Sequence, residues 1–108
     1  MTEHTPAAGP FVTNDAVQFQ SGSVVSKTLI NKTTGTVTLF AFDVDQSLSE
    51  HTAPFDALAV ILDGEALISV GGIWHTVKGG ETILLPANLP HALKAVIPYK
   101  MMLVMIKN

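Results

Sequence analysis

The sequence of 108 residues contains no cysteine. That absence removes a disulfide framework, a thiolate metal site and a cysteine nucleophile together, and it suits a reducing compartment. Positive charge is scarce. Six Lys and Arg stand against nine Asp and Glu, a formal net charge of −3, with no basic cluster. Nucleic-acid affinity comes largely from phosphate contacts, so no nucleic-acid partner is expected. Long apolar runs are missing too. The longest, Ala57–Leu62 and Met101–Ile106, fall far below the roughly 20 residues of a membrane helix. Met1–Pro10 lacks the basic start and apolar stretch of a signal peptide. The expectation is a cytoplasmic protein with no membrane partner. Two common catalytic motifs are also absent. Gly79-Gly80 is followed by Glu81, which is unfavourable beside a phosphate, and no Gly-x-Ser-x-Gly elbow is present. Ser47 and Ser49 near His51 do not make a nucleophilic triad.

What is present is apolar and evenly punctuated. Hydrophobic residues are 47% of the chain and charged residues 14%, enough apolar side chain for one well-buried core. Residues 1–22 read as an N-terminal arm, flexible over Thr2–Pro10 and able to carry an edge strand. Residues 23–108 read as one β domain. Short β-rich runs cover Ser23–Asn31, Thr36–Val44, Ala57–Leu62, Glu65–Val70, Ile73–Val77, Glu81–Leu85, His91–Val96 and Met101–Ile106. Turn signals such as Asp63-Gly64, Gly71-Gly72 and Gly79-Gly80 separate them. The connections are too short for crossover helices, so an all-β barrel or sandwich of antiparallel strands is expected.

Several runs are apolar on both faces. In Met101–Ile106, Met101, Leu103 and Met105 share one parity and Met102, Val104 and Ile106 the other. One face lines the interior, and the other needs a cover. A second copy of the chain, giving a homodimer, is one candidate. The N-terminal arm is the other.

The run Gly80-Glu81-Thr82-Ile83-Leu84-Leu85-Pro86-Ala87-Asn88-Leu89-Pro90-His91 resembles the second motif of the cupins: Gly, five residues, Pro, one residue, Gly, two residues, His, three residues, Asn. Gly80, Pro86 and His91 are in place. Asn88 stands where Gly is usual, and Ala95 where Asn is usual. Asn tolerates left-handed backbone better than most residues. The first cupin motif survives only as His51 and Gly64. Asp45 replaces its opening Gly, Ala53 its second His and Ala57 its Glu. The resemblance spans about Ser23–Ile106 and implies a single-domain, RmlC-like double-stranded β-helix, or jelly roll.

In metal-binding cupins the motif histidines and the Glu hold one divalent ion. By that resemblance His51 and His91 are the candidate ligands here for Zn, Mn, Fe, Ni or Cu. Two imidazoles fall short of the three protein ligands usual at a catalytic zinc. Asp56, Gln46 and His75 are the candidates for a third. Asp56 could serve only through a bulge, because neighbouring strand residues face opposite ways. His4, on the arm, reads as a surface residue. An equal alternative is a pair of barrel histidines with no metal, bonded to each other or to water.

The substitutions themselves suggest space. If Ala57 points inward, alternation sends Ala59 and Ile61 inward with it. Ala53 and Leu93 add wall near the histidines, and Phe40 and Phe42, or alternatively Leu39 and Ala41, line the opposite side. A mostly apolar pocket with a few convergent polar groups suits a small organic ligand. The expectation is a small-molecule-binding barrel, with or without a divalent metal, in which His51 or His91 could act as a general base. The alternative is a non-catalytic binding or sensing module with a degenerate metal site. Trp74 reads as packing, a pocket cap or an interface residue.

Overall fold

β-branched and apolar residues in alternation, cut by glycine turns, fold into nine strands among residues 9–107, which the computed structural model describes. The strands are β1 (Val24–Lys32), β2 (Gly35–Phe42), β3 (Ser47–His51), β4 (Asp56–Asp63), β5 (Glu65–Val70), β6 (Ile73–Lys78), β7 (Thr82–Leu85), β8 (His91–Lys94) and β9 (Tyr99–Ile106). They form a five-stranded sheet in the order β1-β2-β9-β4-β7 and a four-stranded sheet in the order β3-β8-β5-β6. Every pairing is antiparallel. β3 was not expected from the sequence. The expected His91–Val96 strand stops at Lys94, and β9 begins two residues before Met101. No helix among the described residues is long and apolar enough to cross a membrane.

The two sheets enclose one interior cluster, which includes Phe42, Ala59, Ile61, Ile68, Tyr99 and Met101, each at most 1% exposed. Ala57, Ala59 and Ile61 all face inward, as alternation required. Phe40 and Phe42 join this interior. Leu39 and Ala41 lie on the opposite side of β2, in a second cluster with Val17. Leu39 at 0% exposure represents about 1.5–3 kcal/mol of burial free energy, contributed outside the barrel.

The arm supplies that outer cover. Over residues 9–22 it forms no strand. It makes a single 3-10 turn at Thr13–Ala16 and seats Val17, 3% exposed, against Leu39 and Ala41. The Lys100 ammonium donates to the Asn14 carbonyl at 2.7 Å and lies 5.1 Å from the centre of the Phe19 ring. The expected flexible stretch up to Ala8 and His4 fall outside the described residues.

The cover is partial. Register puts Ile30, Val37, Val104, Leu58 and Leu84 in one rung across all five strands, on the outward face. Ile30, Leu58 and Leu84 are all exposed there, as is Ile106 on the next rung.

Candidate functional site

His51 ends β3 and His91 opens β8, and the ladder between these strands pairs them directly. Two contacts clamp the turn before His91 onto the loop after His51. The Asn88 N–H donates to the Ala53 carbonyl at 2.7 Å, and the Ala87 N–H donates to Asp56 Oδ1 at 2.8 Å. Asn88 reaches its contact with a φ of 65°. Asp45, at the turn into β3, has a φ of 67° and donates its N–H to the Ala95 carbonyl at 2.7 Å. These are the two non-glycine residues with positive φ among the described residues.

The imidazole rings meet edge to face, 4.4 Å between centres, with their Nε2 atoms 3.1 Å apart. Each Nδ1 faces a backbone carbonyl, that of Ser49 at 2.8 Å for His51 and that of Leu89 at 3.3 Å for His91. A carbonyl oxygen only accepts, so the shorter contact places the His51 proton on Nδ1 and turns its Nε2 lone pair toward His91, whose own proton has two acceptors in reach: the Leu89 carbonyl from Nδ1 and the His51 lone pair from Nε2. With that proton on Nε2 the two rings hydrogen-bond to each other; with it on Nδ1 both Nε2 lone pairs are open to a proton or a ligand's hydrogen-bond donor. Burial, and then the His51 charge, hold the His91 pKa below its ordinary 6.5, while the Leu89 carbonyl pulls it the other way. His91 is 8% exposed and His51 is exposed, so the pair spans the boundary between interior and solvent.

Behind the pair lies a cavity of about 70 Å³. Ala53, Ala57, Leu93 and Phe40 line it, as the sequence suggested. Leu48, Phe55, Leu85, Met101, Leu103 and Met105 also line it and were not singled out. The shared parity of Met101, Leu103 and Met105 was the available signal for three of them. Three expected wall residues do not reach the cavity. Ala59 and Ile61 are close-packed in the interior, and Phe42 is stacked on Tyr99 at 4.6 Å between ring centres.

The three candidates for a third metal ligand stand apart from the histidine pair. β4 has no bulge at Asp56, which pairs with Ile106 on the outward face and spends its carboxylate on the Ala87 amide. Gln46 is tied into the β3 edge, its carbonyl accepting from Ala95, and does not line the cavity. His75 pairs with Ile68 two strands from β8 and lines a separate open cleft between β6 and β7. No group of three His, Asp or Glu side chains with metal-ligand geometry occurs among the described residues. Among the described residues the donor set is two imidazoles flanked by Ala53 and Ala57, which does not fit a resident catalytic metal with three protein ligands.

A family model for the cupin domain matches residues 38–107. The chain is a cupin. A conserved protein of unknown function from Streptococcus pyogenes is 34% identical, with 99% of this chain and 91% of that chain covered and a TM-score of 0.89. A cupin 2 conserved barrel domain protein from Leptotrichia buccalis is 41% identical over 87% of this chain and 46% of that one, with a TM-score of 0.84. A cupin superfamily protein from Desulfitobacterium hafniense, 24% identical over 98% and 97% of the two chains, has a TM-score of 0.90 and supports the fold. A search of the curated proteins found no match. Within this cupin, Asp45 and Asn88 occupy two of the motif positions where glycine is usual, and both keep the left-handed backbone that glycine would adopt.

Proposed function

We propose that this cupin is a metal-independent binding barrel for a compact, largely apolar organic molecule bearing one hydrogen-bond donor. The observation that carries this reading is the pair of Nε2 atoms, 3.1 Å apart at the head of an apolar cavity, with each Nδ1 facing a backbone carbonyl. When His91 carries its proton on Nδ1, both Nε2 atoms accept from a ligand hydroxyl or ammonium seated at the pair. The cavity, about 70 Å³, is far smaller than the roughly 300 Å³ at which drug-sized pockets begin. The ligand is therefore short, or it protrudes past His51. His91, kept neutral by burial, is available as a base toward such a ligand.

Ligand-observed NMR with small alcohols, phenols and amines, in buffer containing a chelator, tests this reading. Binding that is lost in Ala57→Leu and in His51→Ala supports it. Binding that appears only after Zn, Mn, Fe, Ni or Cu is added, together with about one metal equivalent by elemental analysis, replaces it with a two-histidine metal centre completed by the ligand.

A second copy of the chain is the partner we propose for the bare outward rung. The rung is centred on Val104 of β9, the middle strand. A two-fold axis along β9 lays the β1 side of one copy over the β7 side of the other, which makes the surface self-complementary. The neighbouring outward rung carries Lys32 on β1 and Asp56 on β4, and the same axis brings these opposite charges to within one strand of each other. Sedimentation velocity should show a dimer that Leu58→Glu and Leu84→Glu dissociate. A monomer at every concentration of the native chain discards the proposal.

A further inference from the structure

Trp74 takes no part in the barrel site. It lies on β6 at the edge of the four-stranded sheet and is 51% exposed. Register places Trp74, Ser69 and Ala92 side by side on the outward face of β6, β5 and β8, with Ile68 and Leu93 on the inward one. Two small residues beside a large aromatic leave a shallow cleft of about 550 Å³, whose rim carries Ser47, Ser49, Glu50 and Lys94. Gly72, at the turn before Trp74, has open space where a Cβ would stand.

The floor of this cleft carries a hydroxyl. Ser69 is 2% exposed, no side-chain hydrogen bond among the described residues engages its Oγ, and that oxygen is not among the sealed atoms without a partner, which are Asn14 Oδ1 and the Tyr99 hydroxyl. Ser69 lines the cleft, so its hydroxyl is free of protein partners and placed to bond a molecule seated there.

We infer that this outward cleft is a binding site for a neutral saccharide, with one pyranose ring against Trp74 and a ring hydroxyl on Ser69. A pyranose has an apolar C–H face and a polar rim of hydroxyls, each both donor and acceptor. The cleft is the complement of that shape: one exposed indole to receive the apolar face, the Ser69 hydroxyl below, Lys94 as donor and Glu50 as acceptor at the rim. A protein-docking surface has a different make-up, with several apolar anchors in its centre and charge depleted there. Here a single aromatic stands among hydroxyls and charges. The site is on the far side of the barrel wall from the histidine pair and does not depend on it.

Trp74 is the only tryptophan in the chain, so its emission reports on this site alone. The full chain is titrated with methyl glucoside, methyl galactoside, N-acetylglucosamine and their β-linked disaccharides. The expected result is a saturable change in emission for at least one probe, tighter for the disaccharide. Calorimetry should show the same binding lost in Trp74→Ala and weakened about tenfold in Ser69→Ala, the loss of one hydrogen bond of about 1.4 kcal/mol. Ser69→Ala breaks no side-chain hydrogen bond among the described residues, so it should fold as well as the native chain. Ala57→Leu, which fills the barrel cavity, should leave saccharide binding unchanged and so separates this inference from the barrel reading. No saturable change with any probe overturns it. A Trp74 emission shift that follows protein concentration without sugar also overturns it and assigns the face to self-association.

Discussion

The two ends of the barrel interior are built from opposite materials. At one end Phe42 and Tyr99 stack in near-parallel planes, 10° apart, and the space is filled. At the other, Ala53 and Ala57 stand beside His51 and His91, and a cavity remains. Both ends draw on the same strands and the same inward parity, so the backbone does not decide where a ligand fits. The volume of a few inward side chains does. Even the polar groups differ in kind. The Tyr99 hydroxyl is buried with no hydrogen-bond partner among the described residues, and burial pushes its pKa well above the ordinary tyrosine value. The histidines are ordered by carbonyls and reach solvent through His51. The closed end should therefore carry stability and the open end binding.

The largest effect should come from breaking the closed end. Phe42→Ala should lower stability by about 3–5 kcal/mol in urea unfolding, and Gly64→Ala should be severe as well. Gly64 has a φ of 80°, and a Cβ there meets the Pro98 carbonyl oxygen and comes within 3.0 Å of Tyr99. If His91→Ala costs as much as Phe42→Ala, the division between the ends is wrong. Next in size is Ala57→Leu at the open end, which should abolish fragment binding while changing stability by under about 2 kcal/mol.

A smaller effect follows from His91. Its folded pKa lies below the unfolded 6.5, so its contribution is complete above that pH. Below it the unfolded chain takes up a proton that the fold resists, and stability falls until the pH has passed the folded value. Urea midpoints between pH 7.5 and 4.5 should show this loss, and His91→Gln should flatten it. The smallest change tests the closed end atom by atom. Tyr99→Phe should shift stability by no more than about 1 kcal/mol, in either direction, and leave fragment binding intact.

Much of this contrast is legible in the residues. The glycine, proline and histidine of the second cupin motif locate His91, and alternation from Ala57 places Ala59 and Ile61 indoors. Asp56 follows the same rule and faces out. Where both parities are apolar, the rule loses its grip. Phe40-Ala41-Phe42 could turn either way until the arm is seen covering Leu39 and Ala41. β3 is hidden for the opposite reason. Ser47, Ser49, Glu50 and His51 are polar and exposed, with only Leu48 marking the inward side. The docking of Val17 and Phe19 has no periodic signal, because an irregular segment with one 3-10 turn has none to give. His75 could not be aimed from sequence, since β6 shows only Val77 buried among its six residues.

The position of β9 sets a constraint on how the chain comes to be made. This strand follows all the others in sequence, yet it lies at the centre of the five-stranded sheet, between β2 and β4. On the ribosome, β1 with β2 and β4 with β7 can form only separate fragments with bare inner edges until residues through Ile106 emerge. Closure is then late and depends on contacts between strands far apart in sequence, the kind that form slowly. During that interval the unpaired edges of β2 and β4 are open to other chains. Synthesis that stalls before Tyr99 would leave an aggregation-prone half-sheet, a natural substrate for chaperones and proteases.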